Sequence, residues 1–561
     1  MVRKQGDIFI EFLAILALLL MILGNSHHFT SYAPLIATMN LIIFSVFTVD
    51  ILIRLFSDRN KNKYLLPDWF DIVVIFSLFQ FIFGIRDTAF WIMLRGLGLV
   101  IILITRRKGS KRLITIFNLE PAQLMVTSFA LAIFLGTTLL MLPEATRAEA
   151  GLSFIDALFT ATSATCVTGL IVKDTGSYFS FFGQMIILLL IQMGGIGIMT
   201  FSISLAFMLH RHMGLRQQAA MQDILDQDTL TGMRRLIIFI LKMTVLFEAI
   251  GTLLLFLIWR SRFRNIPLRL YHSTFHAVSA FCNAGFSTFS NSLMGFSNDV
   301  WTQAVMGALI VAGGFGFPVV KDLYDTMRNK FFYKGKSPFT LKVQTKMVLK
   351  TSLLLIGGGA FIMFASERNQ AFNTLAMKEK VLAALFQSIT CRTAGFHTFQ
   401  MARLSSATIL LFIVLMIIGA SPGSTGGGIK TTTISVLWAA IAGGFRQKAH
   451  VEIHKRTIPD EVIHKAIAVY ILSLAIITVF TFLLLSLHGE RFLNTLFEAV
   501  SAFGTVGLSM GITPGLSLEG KIIVSLLMFI GRLGPLTMGY AFIRYKRPTR
   551  YVYAQERIMI G

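Results

Sequence analysis

Long apolar runs recur along this chain and restrict its fold more than any other feature. A bilayer core about 30 Å thick is crossed by roughly 20 helical residues. Runs of that order lie near residues 8–24, 34–56, 69–85, 90–105, 124–142, 180–208, 236–258, 300–320, 345–365, 406–440, 464–487 and 520–543. The sequence therefore predicts an all-α polytopic membrane protein with about twelve crossings.

The basic residues lie mainly in short loops between these runs. Lys and Arg number 51 against 28 Asp and Glu, a formal net charge of +23. Basic loops orient membrane proteins with their positive side in the cytoplasm. Five such segments fall on one side if both termini are cytoplasmic: 106–112, 210–218, 321–336, 445–456 and 544–550. Only 260–269 puts arginines outside. The charge thus indicates topology in a lipid-embedded cell membrane protein, with no nucleic-acid partner.

A short semi-polar element occurs four times in the second part of the chain. It reads "FTATSATCVTGL" (159–170), "FHAVSAFCNAGF" (275–286), "FQSITCRTAGF" (386–396) and "FEAVSAFGTVGL" (497–508), ending near Gly169, Gly285, Gly395 and Gly507. Each element is too short to span a membrane and is flanked by runs that can. We therefore predict four repeats of helix, re-entrant pore helix plus filter loop, and helix around a pseudo-fourfold pore.

These repeats set the predicted domain boundaries. About four extra transmembrane helices precede them, in an N-terminal bundle. The predicted domains are 1–119 for this bundle, 120–215, 216–335 and 336–456 for the first three repeats, and 457–561 for the fourth repeat with a cytoplasmic C-terminus.

Small and hydroxyl residues before each glycine favour a cation filter made of backbone carbonyls. Carbonyl oxygens can replace the hydration shell of K⁺, glycine permits the positive φ that turns them inward, and the C-terminal ends of short helices favour cations. A lone glycine here would more often serve helix packing, but four in register favour a filter. The predicted filter residues are Cys166, Val167, Thr168, Gly169, Cys282, Asn283, Ala284, Gly285, Arg392, Thr393, Ala394, Gly395, Gly504, Thr505, Val506 and Gly507.

The three cysteines, Cys166, Cys282 and Cys391, are too few for a disulfide framework, and the fourth repeat has Gly504 in their place. We expect no transition-metal site and no cofactor in this chain, with K⁺ as the bound and transported ion.

Glycine clusters interrupt the second helix of every repeat: 192–197, 311–316, 419–428 and 530–535. Glycine and proline weaken a helix, so each inner helix should bend, and the third copy should open into a loop. That loop, residues 419–430, and Arg532 form the predicted intramembrane gate. The charge of Arg532 would act either as both a barrier to cations and an anchor for the loop, or as an anchor alone. The gate residues are Gly419, Ala420, Ser421, Pro422, Gly423, Ser424, Thr425, Gly426, Gly427, Gly428, Lys430 and Arg532.

The same glycine run, "GASPGSTGGGIKTTT", also suggests a phosphate-binding loop. That motif needs lysine directly after its last glycine, whereas Ile429 separates Gly428 from Lys430. A membrane ATPase is therefore only a remote alternative, and we expect a protein that is not an enzyme.

The motifs "TCVTGL", "FCNAGFSTF", "TCRTAGF", "GTVGLSMG", "FIGRLGP" and "ERIMIG", with the glycine run, resemble the membrane subunit of the Trk/Ktr/HKT potassium-uptake superfamily, closest to the KtrB type, over residues 120–561. The resemblance implies K⁺ uptake, a homodimer and a cytoplasmic ring of RCK-type (KtrA- or TrkA-like) nucleotide-binding subunits that carries ATP or ADP. Because many Ktr-type systems are stimulated by Na⁺, the resemblance also implies Na⁺ as an activator. Glycine at all four filter positions goes with K⁺ preference, and a Na⁺-selective or Na⁺-coupled relative is the alternative.

The first 119 residues depart from the usual family pattern. "FTVDILIRLF" (47–56) and "WFDIVVIF" (69–76) resemble helices of a voltage-sensor bundle, with Asp50 and Asp71 as inward acids. The fourth run carries Arg95 and then no arginine until Arg106. A sensor needs several gating charges, so we predict a sensor-shaped bundle that senses little voltage.

Overall fold

The chain divides into two compact units, Met1–Leu119 and Glu120–Gly561. The computed structural model describes residue 39 and residues 121–147, 151–197, 230–332, 341–373, 375–489 and 491–542. Apart from residue 39, the predicted N-terminal bundle lies outside these described residues, as do the "ERIMIG" motif and the basic segment 210–218. The second unit is described below.

The described part of this unit contains fifteen α-helices in four successive groups. The groups are α1 Pro121–Leu140, α2 Phe154–Thr165 and α3 Phe181–Ile196; α4 Leu230–Ile258, α5 Ile266–Phe281, α6 Val300–Gly314 and α7 Phe317–Phe332; α8 Val343–Glu367, α9 Met377–Thr390, α10 Ser406–Ile417 and α11 Thr431–Phe445; and α12 Asp460–His488, α13 Phe492–Gly504, α14 Leu518–Leu533 and α15 Pro535–Phe542. A two-stranded antiparallel hairpin, β1 Glu452–Ile453 and β2 Arg456–Thr457, separates the third and fourth groups.

Three helices of the described part are long and apolar enough to cross a membrane unaided. These are α4, α8 and α12, whose spanning segments are Arg235–Ser261, Val343–Glu367 and Asp460–His488. Each begins a group, and each exposes large apolar side chains, such as Phe361 at 72% and Phe482 at 69%. Apolar exposure on this scale suits a surface solvated by lipid, which is as apolar as the side chains themselves.

The short helices α2, α5, α9 and α13 are instead largely buried toward their C-terminal ends. Nine of the twelve residues of α2 are buried, and these include Thr160, Thr162 and Ser163. Side-chain caps begin two of these helices: Ser153 accepts from Asp156 N at the start of α2, and Asn265 accepts from Leu268 N at the start of α5. The second unit therefore has a polar centre enclosed by apolar outer helices.

The third helix of each group, α3, α6, α10 or α14, stops or bends at a glycine cluster. α6 and α7 meet at 100°, and α14 and α15 at 95°. The turning residues are Gly316 (φ +84°) and Gly534 (φ +87°), while α3 ends at Gly197 (φ +86°). Only glycine adopts such conformations without a steric cost. In the third group α10 ends at Ile417, and a loop of residues 418–430, here named the central loop, leads to α11.

An ion pair joins the first group to the fourth. Lys521 Nζ of α14 lies 2.6 Å from Asp156 Oδ1 of α2, and the side chains are 17% and 13% exposed.

Removing one partner of a buried pair costs about 3–5 kcal/mol, and an exposed pair contributes about 0.2–1 kcal/mol. We expect Asp156→Asn to lower the unfolding free energy by about 2 kcal/mol, between these limits, as a lower thermal unfolding midpoint in detergent. Glu452→Gln, which breaks the exposed pair of Glu452 with Lys448, is the control and should leave the midpoint unchanged. An equal effect of both substitutions would contradict this account.

Candidate functional site

The loops that follow the four short helices meet in one closed ring of glycines. A Cβ added to Gly169 would lie 3.1 Å from the Cα of Gly285, and one added to Gly285 would lie 3.1 Å from the Cα of Gly395. A Cβ on Gly395 would lie 3.3 Å from the Cα of Gly507, and one on Gly507 would lie 3.0 Å from the Cα of Gly169. We name these glycines, with the three residues before each, the central ring.

Backbone carbonyl groups fill the space beside each ring glycine. The added Cβ atoms would press on the carbonyl oxygens of Ala284, Ala394, Val506 and Thr168, in the order of the four glycines. Each carbonyl belongs to the residue just before the next glycine around the ring. A side chain in place of any of the four ring glycines would therefore displace a carbonyl of the neighbouring repeat.

The residue two positions before each ring glycine adopts a left-handed conformation. The φ angles are +58° at Val167, +59° at Asn283, +73° at Thr393 and +49° at Thr505. Three of these residues are β-branched, and such residues rarely take a positive φ. Strained backbone of this kind persists where the surrounding structure enforces it and concentrates at functional sites. The sequence places these four residues in the predicted filter, but it indicates a positive φ at the glycines alone.

Backbone hydrogen bonds hold this turn in three of the four loops by the same pattern. Thr168 N donates to Ser163 O, Ala284 N to Ser279 O and Val506 N to Ser501 O, each at 2.8 Å. In the third repeat Thr390 stands in the place of this serine, and one residue fewer separates it from the glycine. There Ala394 N donates to Thr390 O at 2.9 Å. The third repeat therefore departs from fourfold symmetry in the ring as well as in the central loop.

Serine hydroxyls of the short helices also brace the ring. Ser163 Oγ accepts from Gly169 N and Ser501 Oγ accepts from Gly507 N, both at 3.1 Å. Ser279 Oγ donates to Phe286 O at 2.7 Å. In the sequence these serines are among the small and hydroxyl residues of the repeated element, a pattern that does not indicate their bonds to the loop.

A second polar position lies directly after the first phenylalanine of the repeated element. His276 Nε2 lies 3.0 Å from Ser287 Oγ, and Gln387 Nε2 donates to Phe396 O at 3.4 Å. Glu498 accepts from Ser509 Oγ at 2.9 Å and from Thr513. All three hold the chain just after a ring glycine. Their shared position in the repeat is the signal that the sequence reasoning did not use.

Oxygen atoms without partners surround the ring. Among the described residues, the buried Oγ1 atoms of Thr165, Thr168, Thr390 and Thr393 have no hydrogen-bond partner. Buried polar atoms are nearly always paired, and the ends of the short helices, where Thr165 and Thr390 lie, carry a partial negative charge. Such oxygens are suitable ligands for a cation.

The central loop lies directly against the ring. Gly427 N donates to Thr505 Oγ1 at 3.0 Å. A Cβ on Gly426 would meet Thr393 Oγ1, and one on Gly428 would lie 3.3 Å from Gly504 Cα. The glycines of the loop thus let its backbone approach the left-handed residues of the third and fourth repeats.

The loop is also bonded to the bend of the second repeat. Ser421 N donates to Gly314 O at 3.1 Å, and Thr425 N to Gly313 O at 3.4 Å. In return, Phe317 N at the start of α7 donates to Gly423 O at 3.0 Å. Movement of the α6–α7 bend would therefore move the loop.

Two cationic side chains bind carbonyl oxygens of the central loop and connect it to neighbouring helices. The guanidinium of Arg532, in the last turn of α14, donates to Thr425 O in the loop and to Gly194 O in α3. Lys430 Nζ donates to Gly426 O at 2.7 Å. The structure thus brings the predicted gate residues of the third and fourth repeats together, and it adds a link to the first repeat that the sequence did not indicate.

Each cysteine is the C-cap of its short helix: Cys166 follows α2, Cys282 follows α5 and Cys391 follows α9. The first two lie three residues before their ring glycine, and Cys391 lies four before Gly395. All three are buried and unpaired. Within the residues that the structure describes, no group of three His, Cys, Asp or Glu side chains forms a candidate metal site.

Known proteins are similar to this chain over most of its length. Ktr system potassium uptake protein B of Vibrio alginolyticus is 38% identical over 79% of this chain and 95% of its own length. The protein of the same name from Bacillus subtilis is 39% identical over 76% and 93%. The potassium/sodium uptake protein NtpJ of Enterococcus hirae is 35% identical over 79% and 98%. These relatives are transport proteins and not enzymes.

The fold is shared with a solved structure, the potassium transporter TrkH from Vibrio parahaemolyticus, with a TM-score of 0.61. The match covers 96% of this chain and 99% of the TrkH chain, and the two sequences are 16% identical. The family model described as TrkH, cation transport protein, matches residues 98–547. The chain is thus a polytopic membrane protein that belongs to the TrkH family of cation transport proteins.

Proposed function

We propose that this chain is the membrane subunit of a K⁺ uptake system and conducts dehydrated K⁺ through the central ring. The observation that carries the proposal is the ring itself, in which four glycines contact one another and a neighbouring carbonyl lies against each. The names of the Ktr relatives, which describe potassium uptake proteins, support K⁺ as the transported ion.

Selectivity in this proposal comes from backbone oxygens. The carbonyls of Thr168, Ala284, Ala394 and Val506 lie beside the ring glycines, and the left-handed residues two positions before the glycines set the direction of the chain. Carbonyl dipoles can replace the waters around K⁺. We assign the selectivity filter to the sixteen residues named from the sequence and, as added ligands, to the unpartnered threonine hydroxyls.

The central loop with Arg532 is the proposed gate. It lies against Thr393 and Thr505 of the ring, and Arg532 ties it to α3 through Gly194. A positive charge beside a cation path raises the electrostatic barrier to entry. Arg532 therefore both anchors the loop and opposes conduction while the loop is in place.

The bonding of the loop argues against a phosphate-binding role. A phosphate-binding loop presents free backbone N–H groups to its ligand. In the central loop, several of these N–H groups already donate to protein acceptors. The bonds run from Gly419 N to Ile429 O, from Ser421 N to Gly314 O, from Thr425 N to Gly313 O and from Gly427 N to Thr505 Oγ1. Lys430 is also used within the loop. These protein partners occupy the donors that a nucleotide would need.

Control by nucleotide would then come from a partner. We propose a homodimer in the cell membrane, with both termini cytoplasmic, bound to a cytoplasmic ring of RCK-type subunits that carries ATP or ADP. The word "system" in the names of the Ktr relatives supports a multi-component assembly. Bonds between the α6–α7 bend and the loop provide a route by which a partner that moves α7 would move the gate.

Growth of an uptake-deficient bacterium on limiting K⁺ tests the function, with this chain expressed alone and with candidate regulatory subunits. We expect growth only when this chain is present, and uptake of labelled Rb⁺ by liposomes that contain the purified chain. Absence of both, from protein that elutes as a single species, would contradict the proposal.

Na⁺ transport by the same pore is the second candidate, since the NtpJ relative is named for both potassium and sodium uptake. Uptake of labelled Na⁺ and Rb⁺ into the same liposomes separates the two. Equal permeability to both ions would favour the Na⁺-transporting alternative, and stimulation of Rb⁺ uptake by Na⁺ would instead mark Na⁺ as an activator.

A further inference from the structure

A carboxylate lies near the middle of a membrane-spanning helix of the second repeat. Glu248 belongs to α4, within the spanning segment Arg235–Ser261, and its side chain is partly buried. An ionisable residue inside a membrane span is costly and by default marks a functional contact. The filter and gate assignments make no use of Glu248.

Glu248 is bonded to two other elements. Its Oε2 accepts from Gln192 Nε2 of α3 at 3.1 Å. The thiol of Cys282, the C-cap of α5, lies 3.6 Å from Gln192 Oε1 and 3.9 Å from Glu248 Oε1. These three side chains form one polar cluster between the first and second repeats, here named the Glu248 cluster.

One side of the cluster supports the ring. Cys282 is fully buried and directly precedes Asn283, the left-handed residue of the second loop. A Cβ on Gly195 of α3 would overlap the Cys282 side chain, so α3 packs tightly behind this loop. A shift of Cys282 would change the direction of the following carbonyls.

The other side of the cluster reaches Arg532. Gln192 lies two residues before Gly194, whose carbonyl accepts from the Arg532 guanidinium. The Glu248 carboxylate and the Arg532 guanidinium are therefore connected through Gln192 and Gly194, which lie on one turn of α3. Among the described residues, Arg532 forms no direct ion pair, and its hydrogen bonds go to carbonyl oxygens. A buried guanidinium without a compensating negative charge is unfavourable.

We propose that Glu248 is a positioning residue for the pore, in which its carboxylate provides the counter-charge to Arg532 across Cys282 and Gln192. This inference rests on the proposed function, since it assigns Arg532 to the gate. Glu248 lowers the positive potential that Arg532 imposes on the ion path. It also holds α3, with Gly194, against the second ring loop.

A double-mutant cycle tests this role through Rb⁺ flux in liposomes that contain the full chain. Glu248→Gln removes the charge and leaves Arg532 uncompensated, so flux should fall about fivefold or more, the lower end of coupling between linked sites. In an Arg532→Gln background the same change should alter flux by less than about twofold. Glu248→Asp, which keeps the charge, should retain more flux than Glu248→Gln.

Asp299→Asn is the matched control. It removes one carboxylate at the N-terminus of α6, where Asp299 caps the helix. Asparagine is an equally good cap. Its effect should be the same with arginine or glutamine at position 532. If Glu248→Gln fails to elute as a single species, Gln192→Leu replaces it in the cycle, because it breaks the bond between α3 and Glu248.

The outcomes distinguish the counter-charge role of Glu248 from the gate role of Arg532. An equal effect of Glu248→Gln in both backgrounds would overturn the counter-charge role while leaving the gate in place. No effect of Arg532→Gln on flux would instead contradict the gate itself. An effect confined to the thermal unfolding midpoint, with flux per folded protein unchanged, would reduce Glu248 to a structural residue and also overturn the inference.

Discussion

Serine in place of Gly169 is expected to lower the preference for K⁺ over Na⁺ by about tenfold or more, since about 1.4 kcal/mol of differential binding is sufficient for a tenfold change. The added Cβ would overlap the carbonyl oxygen of Ala284 in the next repeat. That carbonyl must move, and the ring then no longer presents oxygens at the spacing that replaces the K⁺ hydration shell. The measurement is the ratio of labelled Rb⁺ to Na⁺ uptake in liposomes.

Gly511 offers a matched control for backbone strain. Its φ of +93° equals that of Gly169, but a Cβ added there would have no atom within 4 Å. Gly511→Ser therefore imposes the same unfavourable conformation without displacing a carbonyl, and selectivity should change by less than about twofold. Equal selectivity in the Gly169→Ser protein and the unmodified protein would remove Gly169 from the filter.

The closed shape of the ring extends this prediction. A Cβ on Gly507 would overlap Thr168 O, and one on Gly395 would lie 2.5 Å from Val506 O. Serine at either position should also lower selectivity, because each substitution displaces a carbonyl of a different neighbour. An effect at Gly169 alone would indicate that the ring does not act as one unit.

Alanine in place of Arg532 is expected to raise basal K⁺ flux in the absence of any regulatory partner by about tenfold. The substitution removes two hydrogen bonds, to Thr425 O in the loop and to Gly194 O in α3, and bonds to charged groups contribute about 1.5–3 kcal/mol each. It also removes a positive charge beside the path. Deletion of Gly423–Gly427 should act in the same direction. The measurement is Rb⁺ efflux from liposomes that contain the chain alone.

Arg446→Ala is the control for a general loss of positive charge, because Arg446 lies exposed at the end of α11. It should leave basal flux unchanged. Selectivity should also survive Arg532→Ala, since the bond from Gly427 N to Thr505 Oγ1 remains. Lower flux from folded Arg532→Ala protein would show that the arginine supports the open pore and does not close it.

The filter and gate predictions are separable because different contacts carry them. Ring glycines contact one another and the neighbouring carbonyls, whereas the loop is held mainly by Arg532 and by the bend between α6 and α7. A substitution in the ring should therefore change which ion passes, and one in the central loop or at Arg532 should change how often the proposed pore conducts.

Local patterns were enough to predict the fold class. Hydropathy over a window of about 20 residues depends only on neighbouring side chains, and it identified the membrane segments that α4, α8 and α12 form. The glycine clusters likewise coincide with the bends at Gly316 and Gly534, because glycine weakens a helix wherever it occurs. Repetition of one element four times pointed to a shared axis.

The site required distances that no local pattern contains. Arg532 and Gly194 are 338 residues apart in the chain and are joined by one hydrogen bond, and Lys521 and Asp156 are separated by 365 residues. The left-handed φ of Val167 and Thr505 runs against the preference of β-branched residues, so the sequence indicates the opposite of what the fold imposes.

By itself, therefore, the sequence determined that this protein is a membrane protein with four copies of one short element, because hydropathy and glycine content act within a few residues. Only the tertiary structure decided which carbonyl lies against which glycine, which residues accept the strain of the ring and which groups surround Arg532. Those contacts arise when segments from all four repeats converge on one axis, where each repeat supplies the surroundings of the next.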